Sequence, residues 1–184
     1  MSTRVLKLIS EQGKYGVGNL NTVAGQIKYV PNGAVALADM DNYILAELGD
    51  YDVDGNLTCK PLSDAKKVGY LVTTIEENQL QNLGGFQEQY NDFFNGKGEM
   101  VRLVVIEPTI TRFETSSFTL NSGVSALAIG QVAHFDPATK KFIVSAKATP
   151  HADYATAGNK FTVVETDSDF GSGLGIHTIK LAAL

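Results

Sequence analysis

The sequence holds one cysteine, three histidines and no tryptophan. A lone cysteine excludes an intrachain disulfide and a zinc cage built from thiolates. Cys59 lies in the strand-like run NLTCKP with no histidine near it in sequence, so it reads as a half-buried structural thiol, not a nucleophile. No apolar run approaches the length of a membrane span. The opening MSTRVLKLISEQGKYG lacks an uninterrupted apolar stretch, so no secretory leader is expected. Positive charge is also short. Fifteen basic residues face 20 acidic ones, a net charge of −5. Nucleic-acid binders normally show a basic face, and Lys66-Lys67 and Lys140-Lys141 are only pairs, read as solvated turn residues. Neither nucleic acid nor membrane is expected as a partner.

What is present is an ordinary globular composition. The chain has 184 residues, 43% of them hydrophobic, enough to bury a core in one domain or two small ones without metals or disulfides. Glycine clusters early (Gly13, Gly16, Gly18, Gly25, Gly33) and late (Gly171, Gly173, Gly175). Such positions suit turns and extended segments lying close to other backbone.

Three regions follow from the pattern. Residues 1–35 read as a first short strand (Val5 to Ile9) and an extended arm, closed by the turn signal Pro31-Asn32-Gly33. Tyr15, Val17 and Leu20 are too sparse there to build a core alone. Residues 36–110 read as an α+β region. VALADMDNYILAEL is open between helix and strand, while NLTCKP, VGYLVTTI and MVRLVVIEP are strand-like. The principal helix is expected after the capping box Thr74 to Glu77, with Ile75, Leu80, Leu83, Phe86, Tyr90, Phe93 and Phe94 on one face. Gly84-Gly85 should break or kink it, at roughly 1 kcal/mol per glycine. Residues 111–184 read as a small antiparallel β barrel or sandwich, with hairpins GQVAHFD–PATK–KFIVSA and KFTVVETD–SDFGSGLG–IHTIKLAAL. TRFETSSFTL supplies a further strand or two. The fold class is therefore mainly β with one principal helix.

The candidates for chemistry are few. Asp50, Asp52 and Asp54 precede Gly55 with the spacing that opens a calcium loop. The closing position, where a bidentate glutamate belongs, is Pro61. A hairpin tip is the preferred reading, because Asp54-Gly55 is a strong turn signal. A looser calcium site using the three aspartates and a carbonyl stays open. His134, His151 and His177 lack paired metal spacing. His177 alternates with Ile179 and Leu181 and is expected on their face, and His151 after Pro150 is expected at the surface. Gly171-Ser172-Gly173-Leu174-Gly175 lacks the lysine and hydroxyl of a phosphate loop. Glu76-Glu77 suit the first turn of a helix. No catalytic constellation, cofactor or metal follows from these residues.

The extended opening VLKLISEQGKYGVGNLNTVAGQ, the strand–turn–strand GQVAHFDPATKKFIVSA and the closing KFTVVETDSDFGSGLGIHTIKL together resemble the auxiliary head proteins of tailed bacteriophages, the decoration or cement proteins. The resemblance covers the whole chain as a texture of segments. It implies a non-enzymatic structural protein of the virion, made in the host cytoplasm and seated on the outer capsid surface. The implied partner is the major capsid protein; self-association, with a trimer as one option, is left open. Tyr15, Val17, Leu20 and Tyr29 are the candidate capsid contacts, since aromatic and apolar anchors carry most interface energy. Two other readings stand beside it: another virion part, such as a tail component or head-fibre base, and a secreted calcium- or carbohydrate-binding β module.

Overall fold

The computed structural model describes residues 14–18, 27–75, 92–166 and 176–184. Its first sheet contains β1 (Ala34–Ala36), β2 (Leu45–Tyr51), β3 (Leu57–Pro61), β4 (Tyr70–Val72), β5 (Met100–Val101) and β6 (Leu103–Val104). They lie in the order β5-β1-β3-β2-β4-β6. Only Arg102 separates the two edge strands, so they are one strand with a bend. Its first half pairs with β1 and its second with β4, which curls the sheet into a ring. Counting that bent strand once, the ring has five members. A five-membered ring cannot alternate direction all the way round, so at least one neighbouring pair must run parallel. That pair is β1 and β3, with Val35 opposite Thr58, and the other pairs are antiparallel.

The second sheet repeats this solution. It holds β7 (Arg112–Thr115), β8 (Phe118–Leu120), β9 (Val132–Asp136), β10 (Lys141–Ser145), β11 (Lys160–Thr166) and β12 (Ile179–Ala183), in the order β7-β12-β11-β9-β10-β8. Ser116 and Ser117 alone separate its edges. β7 pairs with β12 and β8 with β10, closing a second ring. Its parallel pair is β8 and β10. With each bent strand counted once, numbering in chain order gives both rings the same circular order, 1-3-2-4-5, with strands 1 and 3 parallel. Strands β1 to β6 and β7 to β12 thus form two barrels of one connectivity.

Alternation along the strands fills the interiors. Phe113, Phe135, Phe142 and Phe161 meet in the second barrel with ring centroids 5.3 to 5.5 Å apart, mostly edge to face. Leu45, Leu71 and Leu103 are fully buried on the strands of the first. One continuous cluster of buried apolar residues includes members of both barrels. At the seam, matching connections meet. The β3–β4 connection and the β10–β11 connection bond through Gly158 N–H to the Ala65 carbonyl (2.8 Å) and Gly69 N–H to Asn159 Oδ1 (2.6 Å).

The expected hairpins of the C-terminal part form as β9–β10 and β11–β12. Their barrel is not wholly antiparallel, for the geometric reason given above. The ambiguous segment 35–48 resolves into β1, an irregular turn and the start of β2. The expected principal helix is not part of the described fold. Residues 76–91 lie outside the described residues, as does the short strand expected from Val5 to Ile9. At the ends of the helical stretch, Ile75 is exposed coil, and Phe93 and Phe94 are both buried without helical structure. Asn95 instead exchanges backbone bonds with Met40 (2.8 and 2.9 Å). At Phe93 to Asn95 this tertiary pairing stands where the last turn of the helix was expected. Among the described residues the one helical element longer than a single residue is the 3-10 turn Ala152–Thr156. His177 also departs from expectation: it is exposed, whereas Thr178, Ile179 and Leu181 are buried. It precedes β12, so strand alternation does not reach it.

Candidate functional site

Residues 14–18 lie in an extended path across the join between the barrels. Val17 has no exposed surface. Its N–H donates to Ser116 Oγ (2.8 Å) and its carbonyl accepts from Ser116 N–H (2.7 Å). Tyr15 stacks on Phe94 with centroids 5.0 Å apart. Gly16 N–H donates to both Asp41 oxygens, at 2.9 and 2.8 Å. A Cβ on Gly16 would stand 1.9 Å from Ser117 Oγ, and one on Gly18 would stand 2.4 Å from the Glu114 carbonyl oxygen. The two glycines are what let this segment approach. Of the candidate contacts, Tyr15 and Val17 thus pack on their own chain and Leu20 lies outside the described residues. Tyr29 is 41% exposed and is held by Arg102, whose guanidinium lies 4.6 Å from its ring and donates to its hydroxyl (2.9 Å).

The three aspartates sit at the β2–β3 hairpin tip. Asp52 Oδ1 accepts the N–H groups of Asp54 (3.0 Å) and Asn56 (2.8 Å), and Gly55 supplies the positive φ of 80°. These bonds, the Asn56 N–H foremost, hold the Asp52 carboxyl below the usual range. Pro61 lies in β3 opposite Ala46, away from the tip. The matching β9–β10 tip is built alike: Asp136 accepts from Ala138 N–H (3.1 Å) and Thr139 N–H (3.2 Å), and Lys140 takes φ 57°. Tyr51 and Val53 stand out at the first tip, 72% and 102% exposed. Beside them is a groove of about 220 Å³ lined by Val30, Pro31, Leu57 and Met100 among others.

The histidines tell a different story from their spacing. His134 lies on β9 next to Phe135, and alternation sends the two to opposite faces. Phe135 joins the interior, and the β10–β11 connection covers His134 on the outside. His151 stacks on it (centroids 5.2 Å, planes 27° apart) and Tyr154 meets it edge-on at 6.2 Å. Asp153 follows, its N–H donating to His151 Nδ1 at 3.3 Å. The potential ligand atoms of His134, His151 and Asp153 all lie within 4.8 Å of one another. His134 is 1% exposed and its Nδ1 has no hydrogen-bond partner. Burial, with His151 adding to it, lowers its pKa and keeps the ring neutral. Asp153 also lines an open cleft of about 440 Å³ at the seam, shared with Asp64, Lys66 and Asp136.

Comparison with known proteins assigns the chain to a family. A family model described as YonC prophage protein matches residues 11–183. The chain belongs to the YonC prophage protein family. It is 42% identical over 185 residues to the SPbeta prophage-derived uncharacterized protein YonC of Bacillus subtilis (strain 168), covering 100% of this chain and 99% of that one. No solved structure matches it. The phage origin implied by the sequence texture therefore stands.

In this YonC-family chain, two features escaped sequence reading. The histidine cluster needs a covering loop that no spacing announces. Asp41 was unremarked because nothing local marks it. Burial raises its pKa to about 6, against the opposing bonds from Gly16, Asn42 and Ser117 and the charge of Lys141. A raised acid contributes most when protonated. Its contribution is full below the unfolded value of 3.8 and is lost as pH rises through about 6. His134 works the other way, so the informative quantity is a difference. Between pH 5 and pH 7, Asp41→Asn should gain melting temperature relative to wild type as the pH rises. Parallel curves for the two proteins would show that Asp41 titrates normally.

Proposed function

We propose that this phage protein is a non-enzymatic component of the virion that decorates the outer capsid surface and braces joints between subunits. The observation that carries the reading is the β2–β3 tip, where Tyr51 and Val53 stand in solvent on a hairpin. Val53 is the most exposed large apolar residue among those described and Tyr51 stands beside it at the same tip, and such a pair gains when a partner covers it. The phage origin of the family supports a partner within the particle, and the major capsid protein is the one proposed. Asp50 and Asp54 flank the tip, which favours a capsid face carrying lysine or arginine. Two similar barrels give two faces per chain, and copies joined in a trimer would multiply weak contacts over a symmetric lattice.

Co-sedimentation with shells that lack this protein is the test. Wild type should pellet with the shells. The double variant Tyr51→Ala, Val53→Ala should bind about 30-fold more weakly, the loss of roughly 2 kcal/mol typical of interface anchors. Its melting temperature should be unchanged, because both residues are exposed. Wild type that stays in the supernatant at every salt concentration would rule out the capsid role. Equal pelleting of wild type and variant would move the contact to another surface, with Tyr29 the next to replace.

A further inference from the structure

We propose that His134, His151 and Asp153 bind a divalent transition-metal ion of the zinc class. Two imidazoles and one carboxylate make a nitrogen-rich, borderline-soft donor set, suited to zinc, cobalt or nickel and not to calcium or magnesium. The three donor atoms already lie within 4.8 Å of one another. A tetrahedral zinc shell, with bonds of about 2.0–2.1 Å, needs donors roughly 3.3 Å apart. Closing that gap requires movement only on one side. His134 is anchored on β9, whereas His151 and Asp153 sit on the β10–β11 connection at the surface.

The observation that points to a ligand is the orphaned nitrogen. His134 Nδ1 is enclosed and unpartnered. Leaving such a group unsatisfied costs on the order of 1–3 kcal/mol. A metal ion bound at that nitrogen would satisfy it, and a neutral imidazole is the form that ligates. The bond His151 Nδ1 accepts from Asp153 N–H is long, 3.3 Å, and the same nitrogen lies 3.6 Å from Asp153 Oδ2. That bond is cheaply exchanged, since the exposed Asp153 N–H can turn to water. The open cleft beside Asp153 adds the carboxylates of Asp64 and Asp136, with Lys66 opposing them. It leaves room for water, or a partner's side chain, in the fourth position. The bound ion would pin the β10–β11 connection against β9, close to the seam where the same connection bonds the first barrel through Gly158.

The test uses the full chain stripped with chelator and then titrated with zinc chloride by calorimetry. One equivalent should bind with a low micromolar or tighter dissociation constant, and the melting temperature should rise. Cobalt should give the intense visible absorption of a low-coordinate site. His151→Ala and Asp153→Asn lie on the surface connection and should fold. Each should weaken binding by at least about a hundredfold, since even the groups behind metal ligands are worth about 10–100-fold. Calcium at millimolar concentration should not compete. No heat with zinc, wild-type affinity in His151→Ala, or displacement by calcium would each overturn the assignment. His134→Ala is the less useful variant, because its burial makes unfolding a rival cause of lost binding.

Discussion

Phe142→Ala should cost about 3–5 kcal/mol of folding free energy, the range for emptying a buried aromatic site. Phe142 has no exposed surface and touches three other rings: Phe113 at 5.5 Å, Phe135 at 5.3 Å and Phe161 at 5.4 Å. Those partners come from β7, β9 and β11, so the side chain ties β10 to three other strands at once. The cavity cannot collapse easily, because each neighbour is fixed by its own strand pairing. Urea denaturation followed by circular dichroism measures the loss. Because one cluster of buried residues includes both barrels, the variant should still melt in a single transition, shifted to lower urea. A loss below about 1 kcal/mol would mean that the ring is not packed as described. Two separated transitions would show that the barrels fold independently.

How much of this was legible before the structure depends on the range of the interaction. β9–β10 and β11–β12 are local pairs, and turn residues with flanking alternation announced both. Ring closure was not legible. It depends on Arg102 and on Ser116-Ser117 bending one strand so that its halves serve opposite edges, and a bend leaves no hydrophobic period. The parallel pairs β1–β3 and β8–β10 were invisible for a related reason. Each joins strands with another strand between them in the chain, so no turn chemistry reports it. The repeated connectivity hid as well, because the barrels fill their interiors differently. One uses leucines such as Leu71 and Leu103, the other four phenylalanines.

The site was legible in part. The hairpin tip around Asp52 followed from Asp54-Gly55, and its bonds are local. The 14–18 segment was read as an arm seeking a partner, since Val17 has few apolar neighbours in sequence. The glycines beside it carried the better signal. A side chain at Gly16 would collide with Ser117 and one at Gly18 with the Glu114 carbonyl and the Tyr43 ring, which marks close approach to the rest of its own chain. His134 and His151 were separated by a hairpin turn, a strand and part of a loop, and only folding places their rings in a stack.

Gly158→Ala should be the most disruptive single-methyl change in the chain's described seam, at about 3 kcal/mol, the upper part of the range for overpacking. A Cβ there would lie 2.2 Å from the Lys67 carbonyl oxygen, 2.4 Å from its carbon and 2.7 Å from the Lys66 oxygen. All three are backbone atoms, so no rotamer change relieves the clash. The two connections would have to move apart. That stretches the Gly158 N–H bond to Ala65 (2.8 Å) and the buried bond from Gly69 to Asn159 Oδ1 (2.6 Å). A buried polar group stripped of its partner adds its own penalty. The control is Gly55→Ala, where nothing lies within 4 Å of the new carbon and only the φ of +80° is strained, at roughly 1–2 kcal/mol. Hydrogen exchange separates seam opening from general unfolding. Amides at Gly69 and Gly158 should lose protection in Gly158→Ala, while those of β9 to β11 keep theirs relative to global stability. A variant as stable as wild type, with both amides still protected, would mean that the barrels are not held together along these connections.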